Sequence, residues 1–195
     1  MNPTLVYAEA TPNPDVMKFV ANRMIVEPMK QVEYLNAEAC SGSPLAIELF
    51  KGGYVKSLFF SANFVSITRS SHVEWSSIVS AVREFLQDYL TKDLPVIAVY
   101  PESVSTIKEQ QTAMVSDSVS VDEQIIQILE EYIRPAVEQD GGAITFRSFE
   151  SGKVTVALQG SCSGCPSSRV TLKSGIENLL KKMVPGVEEV VAEEL

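Results

Sequence analysis

Residues 101–120, PESVSTIKEQQTAMVSDSVS, constrain the fold of this chain more than any other stretch. They open on a proline, are rich in Ser, Thr and Gln, and carry no sustained apolar period. Such a stretch reads as a linker with at most a short helical turn. The 195 residues then divide into two small domains, 1–100 and 121–195, and each has to build its own core. An apolar share of 45% is sufficient for that. Nothing repeats at a fixed period. The expected class is α+β, two small α/β-type domains, with the order α-β-β-α-β in the second.

The first domain reads as mixed strands and helices. LVYAEA (5–10) and KFVAN (18–22) are strand-like and flank the turn-rich TPNPDV. MIVEPM (24–29) is expected to continue a sheet edge. SPLAIELFKGG (43–53) has Ser43 as N-cap, Pro44 at the first helical position and a terminating Gly pair. YVKSLFF (54–60) and NFVSITR (63–69) alternate as a hairpin across Ser61-Ala62. Ser71 and Glu74 have capping-box spacing. They precede a helix whose stripe is Trp75, Ile78, Val79, Val82, Phe85, Leu86 and Tyr89. VIAVY (96–100) is expected as a closing strand.

The second domain opens with another capping-box pair, Ser120 and Glu123, and one helix is expected through Val137. Asp140-Gly141-Gly142 ends it. ITFRSF (144–149) and KVTVALQ (153–159) read as a hairpin across Ser151-Gly152. GSCSGCPSS (160–168) follows. Pro166 then starts a helix with a stripe of Val170, Ile176, Leu179, Leu180 and Met183, and VEEVVAE (187–193) is the last strand.

Chemistry concentrates in the GSCSGCPSS loop. Cys162 and Cys165 are two of only three cysteines. A strand-to-helix loop places them near unpaired helix amides and the positive end of the helix dipole, where thiolate is favoured. Gly160 and Gly164 remove bulk, so the sulfurs are expected to be approachable. Three readings stay open on the residues alone. A dithiol–disulfide redox centre has the CxxC spacing, although a hairpin strand precedes the pair and its neighbours are all small. Structural zinc wants four ligands, and the only histidine, His72, lies in the other domain. An iron–sulfur cluster wants four thiolates, which two copies of the chain supply across a two-fold axis.

The net charge of −9 argues against nucleic acid as a partner, since phosphate binding needs a basic face. No apolar run approaches the roughly 20 residues of a membrane span. The first residues have neither a secretory nor an Arg-rich transit pattern, so a cytoplasmic location is expected.

The segments IRPAVEQDGG, LQGSCSGCPSS, TLKSGIENLL and VPGVEEV together resemble the NifU C-terminal (Nfu) domain across residues 121–193. TPNPDVMKF, SPLAIELFKGGYVKSLFF and the Trp75 helix are similar to the N-terminal domain of Nfu-type scaffold proteins. The resemblance implies an iron–sulfur cluster scaffold or carrier rather than an enzyme. It implies a [4Fe–4S] cluster shared by a homodimer, with Cys162 and Cys165 as the ligands from each subunit. The implied partners are upstream cluster donors and apo iron–sulfur targets. The first domain lacks the cysteine motif of full-length NifU assembly scaffolds, so no desulfurase-coupled assembly site is expected there. The runner-up function is a thiol–disulfide oxidoreductase using the same pair.

Other residues have plainer readings. Cys40 is expected as an incidental thiol in a loop. His72 is expected at the surface or as a cap, and Trp75 in the core. Arg134 and Arg169 are read either as solvated or as facing a partner or the cluster region. The Asp140-Gly141-Gly142 turn is explained by ending a helix.

Overall fold

The computed structural model describes residues 4–28, 30–101, 120–163 and 166–194. Two compact units result, Met1–Lys108 and Glu109–Leu195. Nearly all of the expected linker lies outside the described residues, as do Met29, Gly164, Cys165 and the side chains of Arg169 and Val170. The class is α+β in both units.

The first unit is a five-stranded antiparallel sheet with two helices on one face. Its strands are β1 (Val6–Ala10), β2 (Val16–Ala21), β3 (Gln31–Tyr34), β4 (Val55–Ser61) and β5 (Phe64–Arg69), in the order β1-β2-β5-β4-β3. Helix α1 (Pro44–Lys51) packs on β4, and α2 (Trp75–Thr91) packs on β1 and β2. Alternation decides what each strand buries: Phe19, Leu58, Phe60, Val65 and Ile67 point at the helices and join Leu45, Leu49, Val82 and Leu86 in one core. Ser43 caps α1, its Oγ accepting the Ala46 amide at 3.2 Å and donating to the Val96 carbonyl at 2.6 Å.

Four expectations fail in this unit. Residues 24–28 are not a strand: the Ile25 and Val26 amides both donate to the Ala62 carbonyl at 2.9 and 3.0 Å, and Pro28 has no amide to offer a ladder. The edge strand is QVEY instead, paired from Gln31 opposite Ser61. Residues 96–100 are not a strand either, because the Ala98 and Val99 amides converge on the single carbonyl of Gly42. The β4–β5 turn sits one residue later, at Ala62-Asn63, where Ala62 takes a φ of 46°. Ser71 caps nothing. Helix α2 begins at Trp75 behind Glu74, which makes no side-chain cap bond and lies 3.7 Å from Arg69. Trp75 is partly buried against this core, its ring 6.1 Å from Phe19.

The second unit is a three-stranded sheet, β6 (Gly142–Glu150), β7 (Lys153–Gly160) and β8 (Glu189–Glu194), in that order. The hairpin closes at Ser151 and Gly152, whose φ values of 50° and 81° are the type I′ pattern. Helix α5 (Pro166–Met183) carries the chain from β7 to β8, which pairs with β7 in parallel. Both the Glu188 and Glu189 amides donate to Gly152, pinning the start of β8 to the hairpin turn.

The expected single helix through Val137 is interrupted. Helix α3 (Val121–Ile128) has the full Ser120–Glu123 capping box, and helix α4 (Arg134–Gln139) ends the run. Between them Leu129–Ile133 is a π turn, with the Arg134 amide reaching back to the Leu129 carbonyl. Pro135 explains the break. It lacks an amide and its ring crowds the preceding turn, so the helix widens before it. Arg134 is mostly buried, its side chain 20% exposed, and hydrogen-bonds Glu130 one turn back.

One charge clamp ties α5 to the edge strand. Glu177 accepts from Lys181 Nζ at 2.6 Å and from the Val190 amide at 3.2 Å. The Lys181 hydrogen bond first, and the amide second, hold its carboxyl below the ordinary carboxylate range. A depressed folded-state pKa adds stability above the unfolded value of about 4.3 and loses it as pH falls through the folded one. The stability gap between wild type and Glu177→Gln is therefore expected to be widest near neutrality and to close below about pH 4. Urea titrations of both proteins across that range check this; a gap independent of pH counts against it.

Candidate functional site

Local chemistry places Cys162 just past the end of β7. Strand pairing runs through Gly160, opposite Gly142, and then stops. Gly160 turns the chain with a φ of 67°, a conformation that disfavours any residue with a Cβ. Ser163 closes the turn, its Oγ donating to the Gly160 carbonyl at 2.8 Å. Ser161 ties the loop to the end of α4: its Oγ donates to the Asp140 carbonyl, and its amide donates to Gly141 at 3.3 Å.

The expectation of an approachable sulfur fails for Cys162. The residue is 4% exposed and belongs to the core of its unit with Ile125, Leu158 and Ile176. It is a thiol, not half of a disulfide, and Ser161 Oγ lies 3.8 Å from its sulfur. Apolar strand residues leave a slot there because the facing position is glycine. A Cβ on Gly142 would stand 2.7 Å from Cys162 Sγ and 2.7 Å from the Gln159 carbonyl. Gly142 therefore does more than follow a helix end. It supplies the space that the cysteine fills. Two glycines in sequence signal a turn, and only the packing assigns the second one to the sulfur.

The third cysteine is locked elsewhere. Cys40 ends a 3-10 turn, Ala37–Cys40, capped by Asn36, and is 1% exposed in the core of the first unit. Its sulfur donates to the Ala37 carbonyl at 2.9 Å, and burial pushes its thiol pKa up. It is a packed thiol rather than a loop thiol. His72 is exposed in the turn before α2. Among the described residues no three of His, Cys, Asp and Glu converge on a point that could hold a metal ion.

One argument against a redox centre does not survive. The strand before the cysteines is half of a hairpin, but it is also the first strand of a parallel β7–α5–β8 crossover. A CxxC in that context is compatible with thiol–disulfide chemistry. Exposure does not separate the readings: Cys162 is enclosed, and thiol attack and cluster ligation alike need its sulfur turned out.

Comparison with known proteins agrees over both halves. Residues 6–93 match the family model described as scaffold protein Nfu/NifU N terminal, and residues 125–191 match the NifU-like domain. The NFU1 iron-sulfur cluster scaffold homolog, mitochondrial, of Drosophila erecta is 37% identical over 95% of this chain and 63% of its own length. The human protein of that name is 33% identical over 97% of this chain and 73% of its own. This chain thus spans a little under two thirds of the length of the fly relatives. The solution NMR structure of a NifU-like protein from Saccharomyces cerevisiae overlays on 51% of this chain and 89% of that one, at 23% identity and a TM-score of 0.46. Among the described residues no helix is long and apolar enough to cross a membrane. With both of its domains matched in order and relatives aligned along almost its full length, the chain belongs to the Nfu/NifU family of scaffold proteins.

Proposed function

We propose that this protein is an iron–sulfur cluster scaffold and carrier. Cys162 and Cys165 from each of two copies hold a [4Fe–4S] cluster between subunits, and the cluster passes to apo iron–sulfur proteins. The observation that carries this reading is the supply of thiols. The second domain has two, and the third, Cys40, is locked in the core of the first. Thiolates are the soft donors iron–sulfur clusters use, and four are the usual set. A two-fold axis through the cluster completes that set from identical halves. The iron–sulfur scaffold names of the relatives support the same cargo.

Carriage asks for a cargo that is held and then released. A cluster held between two loops leaves when the copies part or when a target's thiolates displace the ligands, and neither event unfolds a domain. No step needs a general acid or base, so we assign no enzymatic turnover. The ligands have to stay reduced. The cytoplasm expected from the sequence meets that need, as does the mitochondrial compartment carried in the relatives' names. Among its described residues the first domain brings no three of His, Cys, Asp and Glu together to hold a metal, and we assign it to target recognition or to positioning the cluster domain. Transfer to every target unchanged after deletion of residues 1–100 would remove that assignment.

The reading is tested by anaerobic reconstitution with iron and sulfide, then size exclusion with iron and sulfide measured on each peak. The expected product is a brown dimer carrying about four iron and four sulfide per two chains. A colourless monomer that forms a Cys162–Cys165 disulfide overturns it in favour of thiol–disulfide exchange. A colourless dimer containing zinc overturns it in favour of a structural metal.

A further inference from the structure

The sulfur that has to face a second subunit is stored in the core of its own. Cys162 is 4% exposed, and its neighbour Ser161 is 3% exposed. A ligand to a shared cluster has to point outward. Two features hold this one inward. Gly142 offers a slot that any side chain would fill, since an added Cβ would come within 2.7 Å of the sulfur. Ser161 ties the backbone beside the cysteine to the Asp140-Gly141 turn by two hydrogen bonds, one from its hydroxyl and one from its amide. The hydroxyl bond is part-buried, with its donor Ser161 enclosed, so its loss removes a partner from the Asp140 carbonyl beside the cysteine.

We propose that the iron-free subunit keeps Cys162 in a closed state, latched by Ser161 and seated on Gly142, and that cluster loading requires a local opening which turns the sulfur out. This rests on the reading of Cys162 as a cluster ligand. Closure shields the thiol from electrophiles and stray metal ions while the carrier is empty. It also makes holding and release conditional on a movement of residues 160–163, because the sulfur cannot be both packed on Gly142 and bound to a shared cluster. Ser161 and Gly142 are positioning residues in this scheme and touch no cargo themselves.

The test is the rate at which Cys162 is alkylated by iodoacetamide in the full-length, reduced, iron-free protein, read by mass spectrometry of its peptide. The reference is the same peptide in the urea-unfolded chain. Native Cys162 is expected to react at least about tenfold more slowly than in the unfolded chain, the size of a local opening equilibrium. Ser161→Ala is expected to recover several-fold of that difference. Low urea separates an opened latch from a weakened domain: local opening exposes little surface, so the variant's rate should barely respond, whereas global unfolding responds steeply. Gly142→Ala is not the test variant, because its Cβ would also meet the Gln159 backbone carbonyl at 2.7 Å and the domain could fail to fold. Wild-type labelling within about twofold of the unfolded rate overturns the closed state. A Ser161→Ala rate equal to wild type, or one that rises with urea as unfolding does, overturns the latch. No iron enters the measurement. Failure to reconstitute a cluster would leave the closed state standing, and fast alkylation would leave the ligand assignment standing.

Discussion

Cys162→Ala, or Cys165→Ala, will strip nearly all iron from the reconstituted protein rather than half of it, and the brown dimer will be lost with the iron. The reasoning is arithmetic. In a site shared across a two-fold axis each substitution is present twice, so one change per chain removes two of four thiolates. Loss of a single outer hydrogen-bond partner already costs a metal site about 10–100-fold in affinity, and loss of two direct ligands exceeds that. Mixing the two single variants should not rescue binding, because every pairing of chains still has only two thiolates. Cys40→Ala is the control and is expected to keep full iron content. Its sulfur packs in the first core, at 1% exposure. Iron and sulfide analysis across the size-exclusion profile decides the matter. Substantial iron retained by either single variant would mean that the substituted thiolate is not a required ligand, and the shared four-thiolate site would have to be given up.

Phe60→Ala should destabilise the first unit by about 3–5 kcal/mol, the range for removing a large core side chain without collapse of the hole. Phe60 is fully enclosed on β4, and its ring meets Tyr34 edge-on at a centroid distance of 6.0 Å. It also sits between the sheet and the helices, where the cavity has rigid walls on both sides. A domain of this size is stable by only about 5–15 kcal/mol, so the variant should stand close to its unfolding threshold. The single tryptophan, Trp75, packs against the same core and reports on this unit alone by fluorescence during urea titration. Tyr7→Ala, at a side chain 56% exposed on the edge strand β1, should shift the same transition by less than about 0.5 kcal/mol. A Phe60→Ala shift below about 1 kcal/mol would mean that this part of the core relaxes freely and is not close-packed.

Where the sequence reading succeeded, the signal was local and repeated. Helix α2 shows its stripe every three or four residues over 17 residues, and the β6–β7 hairpin shows alternation on both sides of a Ser-Gly turn. The Ser120–Glu123 capping box needed only its spacing. The same spacing at Ser71 and Glu74 misled. Arg69 draws Glu74 toward itself, and the chain enters α2 one turn later than the motif implies. VIAVY has the composition of a strand, yet two of its amides, those of Ala98 and Val99, are taken by one carbonyl of Gly42 from a distant loop. MIVEPM is apolar enough for a strand but has a proline where a ladder needs a donor, and the modest QVEY took the edge.

By itself, the sequence determined the mixed helix-and-sheet class of both halves and singled out Cys162 and Cys165 as the pair to test. Those features follow from periodicity, turn residues and the scarcity of cysteine, which neighbours in the chain do not alter. Only tertiary structure decided the neighbours across space. The parallel pairing of β8 with β7 encloses the cysteine loop in a crossover. Pro135 turns a continuous apolar stripe into two helices around a π turn. The space beside Gly142 draws Cys162 into the core. Hydrogen bonds and close packing join residues about 20 positions apart, as Ser161 and Asp140 are, and no local pattern encodes a contact whose two halves are fixed by different elements.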